Sequence, residues 1–184
     1  TCMSSFVGGL ALMALYVVFL KNQGYLEHTT RVQLHDIGKY IFAFSIFWAY
    51  LWFSQFMLIW YANIPEETVY FKPRLQGPYK AIFWINLIVN FIAPILILMT
   101  RGSKRNYAII TFMAFLLIIG HWLDFFQMVM PGPMGDHYSL GWFELGMLAL
   151  FSGIVMLFAG RALAKAPLVA EYHPYFKESL IHHT

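Results

Sequence analysis

Five apolar runs, each near or above the length needed to cross a bilayer, constrain this chain more than any other feature. They cover about 3–20, 37–61, 81–100, 107–130 and 140–164. A hydrocarbon core of about 30 Å takes about 20 apolar residues in helical form. Backbone groups inside lipid must satisfy one another, so continuous apolar runs become helices; a barrel would need short alternating segments. Composition agrees: 60% of the 184 residues are hydrophobic and 11% are charged, against about 25% charged in soluble domains. The same figures exclude disorder, coiled coil and collagen. The expected fold class is therefore all-α integral membrane, with five transmembrane helices arranged as a four-helix bundle plus one flanking helix. Residues 1–164 form the transmembrane domain and 165–184 a cytoplasmic tail. No basic segment precedes the first run, so it does not read as a cleaved signal peptide. The chain begins at Thr1 rather than Met, and it is expected to be part of a longer one.

Lysine and arginine placement sets the expected orientation. Lys21, Arg31, Lys39, Arg101, Lys104, Arg105, Arg161, Lys165 and Lys177, nine of the twelve basic residues, fall on one side; Lys72, Arg74 and Lys80 fall on the other. The first side is expected to be cytoplasmic, with the C-terminus inside and the loops 63–80 and 131–139 outside. A net charge of +3 reflects this bias and does not point to nucleic acid. Cys2 is the single cysteine, which permits no internal disulfide and no multi-cysteine metal site.

Ionisable groups inside a span cost energy and are kept mainly for function. The fourth run holds His121 and Asp124 in Gly-His-Trp-Leu-Asp-Phe-Phe-Gln. Their i, i+3 spacing puts them on one helical face, and the helical rise places them about 13 Å and about 9 Å from the outer end. An imidazole and a carboxylate at that depth have the chemistry for proton exchange; a satisfied pair that fixes helix packing is the alternative. Glu144 lies about 6 Å inside the fifth run. It reads either as an outward exit from Asp124, if the fourth and fifth spans are antiparallel neighbours, or as an acid serving its own helix N-terminus. Asn86 and Asn90 share a face of the third run, with Pro94 one turn later, a pattern that commonly binds helices together. Trp48, Trp52 and Gln55 share a face of the second run, which suits either packing or stacking of a flat quinone ring. Of the seven histidines only His121 lies at membrane depth, too few for the usual paired axial ligands of a membrane haem. No metal site is expected, nor any redox centre in this chain.

The loop 63–80 contains Pro65, Pro73 and Pro78 as turn punctuation, and sets Glu66 and Glu67 before Tyr70 and Phe71. Rigid backbone with exposed aromatics is the composition of an interface anchor, so these four residues are expected to meet an extrinsic partner.

The stretch Phe-Ser-Ile-Phe-Trp-Ala-Tyr-Leu-Trp-Phe-Ser-Gln-Phe-Met-Leu-Ile-Trp-Tyr-Ala-Asn-Ile-Pro-Glu-Glu-Thr-Val-Tyr-Phe at 44–71, above all Trp60 to Thr68, with His35-Asp36 before it, resembles a membrane subunit of bacterial alternative complex III. Those subunits are of the polysulfide-reductase-like (NrfD-like) family, with about ten helices each. The chain is similar to the C-terminal half of one, leaning toward the F-type subunit (quinone-binding subunit 2) with the C-type as the alternative. The resemblance implies the bacterial inner membrane and a complex that oxidises menaquinol or another quinol as its substrate. It also implies a homologous membrane subunit, with iron–sulfur clusters and haem c in extrinsic partner subunits. This chain would contact lipid and possess no cofactor of its own; its part would be to support quinol oxidation or proton transfer and to anchor the extrinsic subunits. Half of a proton-coupled transporter, or a purely structural anchor, are the alternative readings.

Overall fold

The helix boundaries follow from local polar chemistry at each end of the apolar runs. In the computed structural model, which describes residues 1–26, 29–135, 141–165, 167–168, 174–175 and 178, α1 covers Cys2–Asn22 and α2 Arg31–Ala62. Thr30 starts α2 with a capping box: its backbone N–H donates to Gln33 Oε1 at 2.7 Å, and its hydroxyl accepts from Val32 N–H. That cap extends the helix one and a half turns before the apolar run begins. At the far end Asn63 adopts φ 49° and stops it. The 32 residues of α2 rise about 48 Å, well beyond a hydrocarbon core of about 30 Å.

Next comes α3, Pro65–Gln76, where loop was expected. Pro65 takes a first-turn position, where its missing N–H costs nothing, and Glu66 and Glu67 complement the helix dipole. Pro73 lies inside this helix instead of punctuating a turn. Gly77 ends it, because a Cβ there would stand 2.5 Å from the Pro73 carbonyl oxygen.

The third span is interrupted: α4 is Lys80–Leu87, a π-helical turn covers Ile88–Ile92, and α5 is Ala93–Leu98. Pro94 offers no N–H to the carbonyl of Asn90, and the wider turn just before it accommodates that loss. The short α6, Arg101–Lys104, is capped by Thr100 and leads to α7, Tyr107–Val129, capped by the Asn106 side chain. Pro131–Met134 forms α8, and Trp142–Lys165 forms α9. No strand occurs among the described residues.

Among the described residues five helices are long and apolar enough to cross a membrane, and the protein is an all-α membrane protein. Four of these spans form an up-and-down bundle. Small residues Val7, Ala11 and Ala14 let α1 approach closely, and they pack with Leu34 and Ile41 of α2, Leu98 of α5, and Ile110, Met113, Ala114 and Leu117 of α7. Between helices in lipid the driving force is dispersion and close fit rather than water exclusion, so small residues at the contact are expected.

The fifth span, α9, buries none of its residues. It is the flanking helix, and the expected side-by-side packing of the fourth and fifth spans is not found. Its surface is apolar on every side, including Phe143, Leu145, Phe151, Val155, Met156 and Leu157, so no face is distinguished for a protein neighbour over lipid. Residues 136–139 of the connector before it, and most of the expected tail 165–184, lie outside the described residues.

Candidate functional site

Asp124 is 4% exposed, one and a half turns from the end of α7, and every other packed span sends a donor or a ring toward it. Ser4 Oγ of α1 donates to Oδ2 at 2.5 Å. Trp48 Nε1 of α2 lies 3.2 Å from the same oxygen and 3.0 Å from Ser4 Oγ, and donates to both. Asn86 Nδ2 of α4 donates to Oδ1 at 2.8 Å, and Asn90 Nδ2 in turn donates to Asn86 Oδ1 at 2.5 Å. Asn90 Oδ1 at the end of this line reaches no hydrogen-bond partner. Asp124 has no ion-pair partner among the described residues. Its carboxyl group meets three neutral donors from three helices.

Gly120 makes the arrangement possible. A Cβ at that position would overlap Asn90 Oδ1 and sit 2.5 Å from Val89 Cγ1. The π turn carrying Asn90 therefore lies directly on the α7 backbone, one turn from Asp124.

His121 is equally buried, at 3% exposed, and on the same face of α7 as Asp124. The two are not hydrogen-bonded to each other; Asp124 accepts from Ser4, Trp48 and Asn86 instead. The imidazole lies edge-on to the Trp48 ring at 5.8 Å, and neither ring nitrogen meets a partner. The expected direct pair is thus two adjacent groups joined through Trp48.

The aromatic line continues outward. Trp52 stacks on Trp48 at 6.2 Å and on Phe56 at 6.3 Å, and tilts against Phe83 of α4 at 4.9 Å. Gln55 shares their spacing but is exposed, while its neighbour Phe56 is the residue that packs, against Phe71 of α3. Glu144 also stands apart: its Oε2 accepts from Gly141 N–H at 2.8 Å, capping the start of α9. Of the two readings of Glu144, this contact is the helix-end one.

Arg74 closes the end of the site from outside. It is 4% exposed, with its guanidinium 3.6 Å over the Tyr70 ring. Its Nε donates to the Gln127 carbonyl at 3.0 Å and its Nη2 to the Met128 carbonyl at 2.9 Å, while Nη1 donates to the Tyr70 carbonyl. In a regular helix the Gln127 carbonyl would accept from residue 131, but residue 131 is proline and has no N–H. Arg74 supplies the missing donor. Burial pushes the Tyr70 phenol above its ordinary value, and the Arg74 charge opposes part of that rise.

This inward turn of α3 corrects the expected exposure of the two aromatics. Phe71 is buried, edge-on to Phe56 at 5.1 Å, and Tyr70 is half-buried over Arg74. Helical periodicity places Tyr70, Phe71 and Arg74 on one side, toward the bundle. Glu66 and Glu67 share that face but lie in the first turn of α3, where they are exposed, and Val69 on the other side is 65% exposed.

No family model matches the chain, and no curated protein matches it.

Of the sequence candidates, then, the fold brings together His121, Asp124, Asn86, Asn90, Trp48 and Trp52. It adds Ser4, Gly120 and Arg74, which composition and spacing did not single out. Among the described residues no group of three or more His, Cys, Asp and Glu side chains gathers. Chemically, the centre is a buried carboxyl group held by neutral donors, of which the Ser4 hydroxyl and the Asn86 amide can also accept while the Trp48 indole N–H only donates.

Proposed function

We propose that this chain is a membrane subunit of a respiratory quinol:electron-acceptor oxidoreductase of the alternative complex III kind, in the bacterial inner membrane with its C-terminus cytoplasmic. In this reading Asp124 is a titratable station for protons released at quinol oxidation. Oxidising one quinol to quinone yields two electrons, which pass to iron–sulfur and haem c groups of extrinsic subunits, and two protons, which need acceptors leading to water. The observation that carries the proposal is the Asp124 carboxylate, buried among four spans and held by three neutral donors with no cation. Buried charges are ordinarily paired with a counter-charge, and Asp124 has none among the described residues. The resemblance at 44–71 supplies the rest of the reading: the quinol, the partner subunits and the membrane.

The same hydrogen bonds also suit a structural anchor, since every Asp124 oxygen is satisfied. Membership of a redox complex is tested by purifying the protein in mild detergent through a tag on this chain, followed by native mass spectrometry. The expected result is a multi-subunit assembly with a homologous membrane subunit and haem c absorbance. Recovery of this chain alone, or as a homo-oligomer without haem, overturns the proposal and favours a transporter half.

A further inference from the structure

We infer that Asn86 and Asn90 are positioning residues that let Asp124 change protonation state without losing a hydrogen bond, by reversing the direction of their amides. The inference rests on the proton-station reading of Asp124 above and adds a role for two neutral residues.

With Asp124 ionised, Asn86 gives its amide N–H to Oδ1 and Asn90 gives its own to the Asn86 carbonyl. A proton arriving on Oδ1 turns that acceptor into a donor facing another donor. A half-turn of the Asn86 amide brings its carbonyl oxygen to the new O–H and its N–H toward Asn90. A half-turn of Asn90 then presents Oδ1 to that N–H. Two hydrogen bonds exist before and two after; only the free end changes, from the Asn90 carbonyl oxygen to its amide nitrogen. That free end is already present: Asn90 Oδ1 is buried and meets no partner.

The other oxygen offers no such route. Oδ2 accepts from both Ser4 and Trp48, and Trp48 also donates to Ser4 Oγ. A proton there would need the Ser4 hydroxyl as acceptor and would displace the Ser4 proton with no second acceptor among the described contacts. The α4 side is therefore the side that adapts. Both asparagines are 0% exposed, so water does not replace a bond lost there. The bare backbone at Gly120 keeps the Asn90 amide clear of a Cβ.

Charged and titratable groups near Asp124 on the surrounding elements are His121 on α7 itself and Tyr70 and Arg74 on α3. From α1, α2 and α4 it meets Ser4, Trp48 and Asn86, all neutral.

Infrared difference spectroscopy between acid and alkaline pH, on the protein in its native membrane complex, tests the relay. The expected result is a protonated carboxyl band, absent in Asp124→Asn, together with a shift of side-chain amide carbonyl bands at the same midpoint. Asn90→Leu leaves every direct donor to Asp124 in place, and it should keep the carboxyl band and remove about half of the amide signal. Asn86→Leu should abolish the coupled signal; if that variant does not assemble, Asn90→Leu decides. A carboxyl band with no coupled amide change, or an amide change untouched by Asn90→Leu, overturns the relay and leaves the proton station standing. Absence of any Asp124 carboxyl band across the accessible pH range overturns both.

Discussion

Arg74→Met is expected to loosen the end of α7 that carries Asp124. Methionine approximates the length of the arginine stem but removes three donors and the charge. Two α7 carbonyls, Gln127 at 3.0 Å and Met128 at 2.9 Å, lose the guanidinium, and Pro131 cannot stand in for it. Hydrogen bonds from a charged donor contribute about 1.5–3 kcal/mol each, and stacking on the Tyr70 ring adds about 0.5–2 kcal/mol. Against this, removing a buried guanidinium recovers several kcal/mol of desolvation cost. The net expected loss is about 2 kcal/mol, or about a thirtyfold fall in the folded-to-unfolded ratio. Arg74→Lys retains the charge as a single point donor and should lose about half as much. Reversible unfolding in mixed micelles gives the total, and amide hydrogen exchange locates the effect, expected over the last turns of α7. Arg101→Met, at an exposed residue, is the control. If Arg74→Met costs no more than the control, or if exchange at the end of α7 is unchanged, Arg74 does not replace the missing Pro131 donor.

Gly120→Ala should destabilise the protein by about 1–3 kcal/mol through overpacking against Asn90 and Val89, measured by the same unfolding assay. Tyr70, whose phenol is held above its ordinary value by burial, stabilises the fold fully below pH about 10 and loses that contribution as alkaline pH passes its folded value. Tyr70→Phe should therefore reduce the loss of stability above pH about 10, seen by comparing unfolding curves of the two proteins across that window. Because Tyr70 and Phe71 face inward, charge reversal at Glu66 and Glu67 is expected to release extrinsic subunits during purification, while Phe71→Ala destabilises the chain itself. Subunit yield on native gels separates the two effects.

The spans were legible because continuous apolar runs have no soluble alternative, and Asp124 and His121 because charge at membrane depth is conspicuous. Asn86 and Asn90 were legible as one face of a helix, but not their attachment to Asp124, which depends on how α4 lies against α7. Ser4 gave no signal: one of two adjacent serines near a helix start reads as packing until Trp48 and Asp124 close around it. Gly120 is likewise meaningful only once Asn90 is seen on its backbone. Arg74 was misplaced for a definite reason. Three prolines suggested turns, whereas Pro65 initiates α3 and Pro73 is tolerated near its end, so an assumed loop cation became a buried donor. Glu144 and Gln55 had the right spacing on their own helices, but α9 stands apart and Phe56, not Gln55, is the residue of α2 that meets α3. Periodicity specifies a face and does not specify its neighbour.

The central claim, that Asp124 carries protons and does not merely hold helices together, is tested most directly by proton release per electron in an assembled Asp124→Asn complex. The substitution preserves size, and the amide reversal at Asn86 and Asn90 lets the new side chain keep its hydrogen bonds, so assembly at normal yield is expected. Stopped-flow measurement with a pH dye during quinol oxidation in sealed vesicles should then show turnover, or protons released outside per electron, reduced several-fold. Wild-type turnover with unchanged proton stoichiometry would contradict the account and leave Asp124 a packing residue.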